Sequence, residues 1–359
     1  MPFKRARRIL PPIFLVAVAT VAWAEDIPGR HHEPVAGTGS GPCSYKVQAG
    51  LDGEIYPVFA NYASLRKQDE RSFAVVAVTI TNLTDEKVSQ RLTVQVPGWS
   101  DREVQAAEID PGKARTLLFA PSFLPRFYAN REIIAATVRI SATDLQGRTV
   151  YESTLPVRLR SSEDMYWGAD FKYASFIASW VTPHDPQIEA TLAKAKRYTA
   201  DHRLPGYEGW KDTRGQELET YREARAIFTA LQNSGLSYVK SSGTLGDHQA
   251  LSERVRMPHA SLLHSSANCI DAAVAYASLF ENLGMDAEVI LVPGHAYVGV
   301  RVARAADKFL IIDAALTGRS TFSAAVASAQ RGLSRLAPAS IKPILVSQAR
   351  LAGIYPMPR

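Results

Sequence analysis

Three side chains late in the chain have the types and order needed for acyl chemistry: Cys269, His295 and Asp313. A thiolate can attack a carbonyl carbon, an imidazole can carry the proton, and a carboxylate can hold the imidazole in place. Cys269 is one of only two cysteines in 359 residues. Ser265, Ser266 and Asn268 before it are residue types that open helices. Ile270, Ala273, Val274, Ala277, Phe280 and Leu283 then recur at helical spacing, and Gly284 stops the run. The pattern predicts a helix whose first turn holds Cys269. Unpaired backbone N–H groups and the positive end of the helix dipole meet there, and both favour thiolate over thiol. The same amides could take up the negative oxygen formed when sulfur adds to a carbonyl.

The other two residues need strands to bring them together. "AEVILV" (287–292) reads as a buried strand, "HAYVGVRV" (295–302) as a second and "KFLIID" (308–313) as a third, with "ARAAD" between the last two as the turn. In the second strand Ala296, Val298, Val300 and Val302 fall on one face, and His295, Tyr297, Gly299 and Arg301 on the other. Pairing the last two strands around Ala305-Ala306 leaves His295, which opens one, within roughly one to three residues of Asp313, which closes the next. A cysteine heading a helix, a histidine opening a strand and an aspartate ending the following strand make a nucleophile, a base and an orienter of that base.

These residues resemble a known family. "NCIDAAVAYASLFENLGMDAEVILVPGHAYVGV", followed by "FLIIDAA", is similar to the core of the transglutaminase-like branch of the papain-like cysteine enzymes, over roughly residues 218–355. The resemblance implies an α+β domain that works through a thioester on amides. Cys269 is then the nucleophile, His295 the general base and acid, and Asp313 the orienter. The chain departs from the pattern at Ala267, where the family often has glycine, at Tyr297, where it often has tryptophan, and after Asp313, where a threonine often follows. The accompanying pieces "ARAIFTALQNSGLSYV", "RVRMPHASLL" and "ILVSQARLAGIYP" suggest a bacterial-type subgroup.

The rest of the chain is expected to serve this domain. The basic opening "MPFKRARR", the apolar run Ile9–Ala24 and the small-x-small end Ala22-Trp23-Ala24 predict an export signal over 1–24, with Glu25 as the first mature residue. The apolar run is shorter than the roughly 20 residues a spanning helix needs, so membrane contact is expected only through an uncleaved signal. Four of the basic residues lie in that segment, and without it 37 basic residues face 35 acidic ones. A nearly neutral mature chain without an arginine–aromatic face gives no ground for nucleic-acid binding. A periplasmic or secreted location follows, and peptides of the cell wall or other exported proteins become the expected substrates.

A Gly-rich lead-in is expected over 25–42 and an antiparallel β-sandwich over 43–160. "SFAVVAVTITNLTD" and "QRLTVQVPGWSD" alternate apolar and polar residues between turns, which suggests an immunoglobulin-like accessory module. Residues 161–359 form the cysteine-enzyme domain. It includes helices in "DPQIEATLAKAKRYTAD" after Pro186 and in "ETYREARAIFTALQNSG", where Tyr221, Ala224, Ile227, Phe228 and Leu231 share a stripe, and a short strand in "LSYVKSS". The chain is thus multidomain, all-β then α+β.

Other candidates carry less chemistry. Cys43 sits in "VAGTGSGPCSYK"; export allows a Cys43–Cys269 disulfide, with a local, non-catalytic role for Cys43 as the expected alternative. His259 and His264 do not have zinc spacing, so no metal and no cofactor are expected. His184 and His248 read as solvent-facing, and Trp210 as an aromatic packed under a loop. The function predicted is an exported peptidase, amidase or transglutaminase; the rival is a non-enzymatic binding protein with an inert transglutaminase-like domain.

Overall fold

Alternation of valine and isoleucine with polar residues organises the first part of the chain. The structure is a computed structural model and describes residues 41–65, 73–208, 210–241, 243–244 and 251–358. The expected export signal over 1–24, nearly all of the lead-in and His248 lie outside the described residues. β1 (Cys43–Ala49), β3 (Val76–Asn82) and β6 (Ala114–Phe119) form one sheet in the order β1-β3-β6. β2 (Glu54–Ile55), β4 (Val88–Gln95), β5 (Glu103–Ile109), β7 (Ile134–Thr143) and β8 (Thr149–Leu159) form the other, in the order β2-β8-β7-β4-β5. Neighbours are antiparallel except β2 and β8, which run parallel.

The two sheets share one core. Val76, Val78 and Ile80 enter it from one, and Leu92, Val94 and Ile140 from the other. Each such side chain withdrawn from water contributes about 1.5–3 kcal/mol. Cys43 belongs to this core: it opens β1, is buried, and accepts a hydrogen bond from Gln90 Nε2 at 3.5 Å. Burial pushes its thiol up and the Gln90 contact opposes this. Both cysteines are free thiols, so Cys43 is a core residue of the sheet, not part of a tether.

Helix α1 (Pro57–Leu65) interrupts this run of strands, and the alternation did not forecast it. It begins on a proline, whose missing N–H costs nothing in a first turn. Its aromatic face packs on the second part of the chain: Phe59 and Tyr62 lie 4.9 and 5.1 Å from Phe176, centroid to centroid. After α2 (Pro125–Tyr128), β9 (Asp164–Tyr166) leads into that second part. α3 (Pro186–Ala195) and α4 (Thr213–Asn233) occupy the predicted helical stretches. Ala224, Ile227, Phe228 and Leu231 of α4 are buried, whereas Tyr221 is exposed and packs edge-on against Phe322.

β10 (Ser237–Tyr238) pairs in parallel with β12 (Ser266–Ala267), and β11 (Ser252–Arg254) pairs with β9. α5 (Pro258–Leu263) precedes β12. α6 (Cys269–Asn282) then packs against an antiparallel sheet ordered β15-β14-β13-β16. Its strands are β13 (Ala287–Val292), β14 (His295–Arg301), β15 (Phe309–Ile312) and β16 (Lys342–Leu345). α7 (Phe322–Ser334) contacts the sheet at β15, and α8 (Val346–Leu351) follows β16.

Two features are more enclosed than the periodicity implies. Every residue of α6 from Ile270 to Phe280 is buried, because α3 and α5 cover what the sheet does not. Both faces of β14 are buried between its ends, and Tyr297 sits in a small apolar cluster with Ile290, Val292 and Ala329 of α7. The described residues form one compact unit, and none of their helices is long and apolar enough to cross a membrane.

Candidate active site

The start of α6 is fixed by a reciprocal cap. Asn268 Oδ1 accepts the Asp271 N–H at 2.8 Å, and Asp271 Oδ2 accepts the Asn268 N–H at 3.2 Å. This box satisfies two of the first turn's orphan donors. Asp271 also accepts from the Arg256 N–H at 2.7 Å and from Ser241 Oγ at 3.2 Å. Its carboxyl is fully buried, and burial pushes its pKa up against the pull of these donors. Cys269 is the first residue of the helix and stays partly open to solvent. Among the described residues, no protein acceptor takes the backbone N–H of Cys269 or Ile270.

The hairpin carries the other two residues into place. Val298 pairs with Ile312 and Arg301 with Phe309, so the position after Ile312 lies level with Tyr297, two residues along from His295. From there Asp313 Oδ1 meets His295 Nε2 at 3.0 Å. The Cys269 side chain lies near enough to the same ring to help raise its pKa. With Nε2 taken by Asp313, the ring nitrogen left for the sulfur is Nδ1. The three residues predicted from the sequence are therefore brought together.

The electrostatics follow from these contacts. The hydrogen bond to Asp313 and the one to Cys269 raise the His295 pKa to about 9, with partial burial pulling the other way. At neutral pH the ring is thus largely imidazolium, between the Asp313 carboxylate and the Cys269 sulfur. The Tyr297 ring stands edge-on to it at 4.6 Å and 81°. Burial raises the Tyr297 hydroxyl's pKa, and the negative charges of Asp313 and Cys269 add to that. Gly332 of α7 makes room for that hydroxyl, since a Cβ there would come within 2.2 Å of it.

Ser328 was not foreseen. From α7 its Oγ donates to Asp313 Oδ2 at 3.0 Å, so each oxygen of the carboxylate has its own partner. A serine in the middle of "SAAVASAQRG" gives no local sign of this, because the contact depends on how α7 folds over the sheet. The capping box was legible, since an Asn followed three residues later by an acidic residue before an apolar run is its signature. The remaining candidates lie elsewhere. His259 Nδ1 faces Asp185 Oδ2 at 3.6 Å, and His264 and His184 are exposed. Trp210 packs over Gly215 at the start of α4 and donates from Nε1 to Glu219 Oε2 at 3.3 Å.

No protein-family model and no curated protein matches the chain. Among solved structures, a FixG-related protein from Vibrio parahaemolyticus is similar at 15% identity over 33% of this chain and 96% of that one, with a TM-score of 0.20. A family 76 glycoside hydrolase from a bovine Bacteroides thetaiotaomicron strain is similar at 11% identity over 47% and 38%, with a TM-score of 0.15. Neither likeness reaches the level at which fold or activity carries over, and neither indicates a transglutaminase-like protein.

Proposed function

We propose that the chain is an exported thiol enzyme of the transglutaminase-like kind, acting on amide bonds of peptides or proteins. The observation that carries this reading is the position of His295 between Asp313 at 3.0 Å and the half-open Cys269 thiol. A purely structural cysteine has no need of a charged imidazole held in place by a doubly anchored carboxylate. The basic, then apolar, N-terminal sequence supports export.

The reaction runs through a thioester. The Cys269 thiolate adds to the amide carbonyl carbon, and the carbonyl oxygen takes the charge, facing the unpaired N–H groups of the first helical turn. As the C–N bond breaks, imidazolium 295 gives its proton to the departing nitrogen, which leaves as an amine. The now neutral ring takes a proton from water, hydroxide adds to the thioester, and the C–S bond breaks to return thiolate and imidazolium. An amine in place of water gives transfer instead of hydrolysis. Asp313 keeps the ring oriented through both halves and does not itself become protonated.

The test is amine release from a panel of N-acyl peptide amides, with Cys269→Ala as the control and a primary amine added in a second series. Release that depends on Cys269 is expected, and capture of the added amine would mark a transferase. Equal background from the wild type and Cys269→Ala across the panel would contradict the proposal.

A further inference from the structure

Glu219 and Glu223 sit one turn apart on α4, and both are buried, Glu223 completely. Residues four apart on a helix are neighbours. Glu219 has its donors: Oε1 accepts from Arg222 Nε at 3.0 Å, and Oε2 from the Trp210 indole at 3.3 Å. Glu223 is served on one side only. Its Oε1 accepts the Gly206 N–H at 2.9 Å, but its Oε2 has no hydrogen-bond donor among the described residues. What the Glu223 carboxyl meets instead is Glu219. Two carboxylates offer only acceptors, so they satisfy each other only with a proton between them. A buried oxygen left unpaired, or two like charges in contact away from water, is costly.

The pair also fastens a loop. Gly206 has a φ of +60°, and a Cβ there would come within 2.3 Å of the Leu283 carbonyl oxygen, so the chain is pressed against the end of α6. Beside it, the Tyr207 hydroxyl donates to the Arg301 carbonyl at 2.5 Å and accepts the Asp286 N–H at 3.3 Å. The Gly206 N–H on Glu223 is the buried tie from this loop to α4, and Gln216 Nε2 adds a longer one to the Tyr207 carbonyl at 3.4 Å. The charges around the pair come from few places. Arg222 faces Glu219 and reaches Asp201 of the preceding segment at 3.0 Å. Arg301, Arg304 and Asp286 face the Tyr207 hydroxyl. α3, packed on α4, buries Ile188, Leu192 and Ala195, and α7 meets α4 through Phe322.

We propose that Glu219 and Glu223 share a single proton, carried by Glu223 and donated to the Glu219 carboxylate, and that this proton latches the 204–208 loop to α4. The latch does not depend on the reading of Cys269 as a nucleophile. Its pH dependence has a definite sign. Burial, with the Glu219 charge adding and the Gly206 N–H opposing, pushes Glu223 from its ordinary 4.5 up to about 8. The closed loop thus holds a proton that the opened loop, with Glu223 in water, gives up. The stability of closure is fully present below 4.5, is lost as the pH rises, and levels off above about 8. Asp201 is lowered from its ordinary 3.8 by the Arg222 hydrogen bond and stays charged across that range.

The test is amide hydrogen exchange of residues 206–208 in the full chain, expressed at each pH as protection relative to the free peptide. Protection of the Gly206 N–H is expected to fall about tenfold per pH unit between 4.5 and about 8, and to level off above. Glu223→Gln, which carries a permanent donor of the same shape, should flatten the profile over that range. Glu219→Gln removes the like charge and should end the fall at a lower pH, and this variant decides the matter if Glu223→Gln fails to fold by thermal melting. Protection that does not change with pH in the wild type, or a fall that is unchanged in either folded variant, overturns the shared proton.

Discussion

Asp313 Oδ1 holds the His295 ring and its Oδ2 is held by Ser328. With only one of these contacts the carboxylate would be free to rotate away from the imidazole. A hydrogen bond to a charged group is worth about 1.5–3 kcal/mol, so Ser328→Ala is expected to slow amide turnover by roughly tenfold or more. It should also move the alkaline limb of the pH profile downward, since the ring loses part of what keeps it charged. Ser328→Thr, which retains the hydroxyl, should recover both; a turnover loss without a change in the profile would mean that Ser328 only packs. The pH dependence itself has a definite sign. His295 is raised from 6.5 to about 9, so the stability contributed by its charged form is fully present below about 6.5 and fades as the pH rises through 9. Expulsion of an amine needs the imidazolium, and turnover should therefore fall above pH about 9. Alkylation needs only the thiolate and should not fall there. Parallel pH profiles of the two reactions check this, and a joint fall would contradict it.

At the scale of elements, the α6 N-terminus is the part most worth perturbing. Asp271 ties three segments together, through the N–H groups of Asn268 and Arg256 and through Ser241 Oγ. Asp271→Ala leaves buried donors without acceptors, which costs about 3 kcal/mol. Urea denaturation should show that loss, and a change below about 1 kcal/mol would mean that the segments hold together without it. The same elements show what a sequence can reveal. The helix start at Cys269 and the β14–β15 hairpin were legible because caps, turns and the 3.6 and 2 periods are local signals. The enclosure of α6 was not, since burial on every side is decided by α3 and α5 packing over it and not by the stripe of apolar residues. Nor was the Ser328 contact, or helix α1, whose "PVFANYASL" lies among strands and owes its place to the rings it meets across the fold.

Across the whole molecule, the two parts meet at a buried set of charges as well as at the aromatic rings of α1. Arg160 is fully buried between Glu54 of β2 at 3.4 Å and Asp164 of β9 at 3.0 Å. Taking away one member of such a group leaves the buried charges that faced it less compensated, at a cost of about 3–5 kcal/mol. Arg160→Leu should therefore lower the urea midpoint markedly. Since the rings and charges span both parts, tryptophan fluorescence and the exposure of Cys43 to a thiol reagent should follow one unfolding curve; two separated transitions would mean that the β part folds independently. The meeting of Cys269, His295 and Asp313 is the outcome of all these contacts, and the most direct measurement of it is the rate of iodoacetamide labelling at Cys269 across pH, in the wild type and in His295→Ala. Fast labelling at pH about 6 that is lost in His295→Ala is the expected result, because the proposed reaction couples the sulfur to a positively charged ring beside it. Labelling that needs denaturant, or that is the same in both proteins, would contradict the account and leave Cys269 a structural thiol.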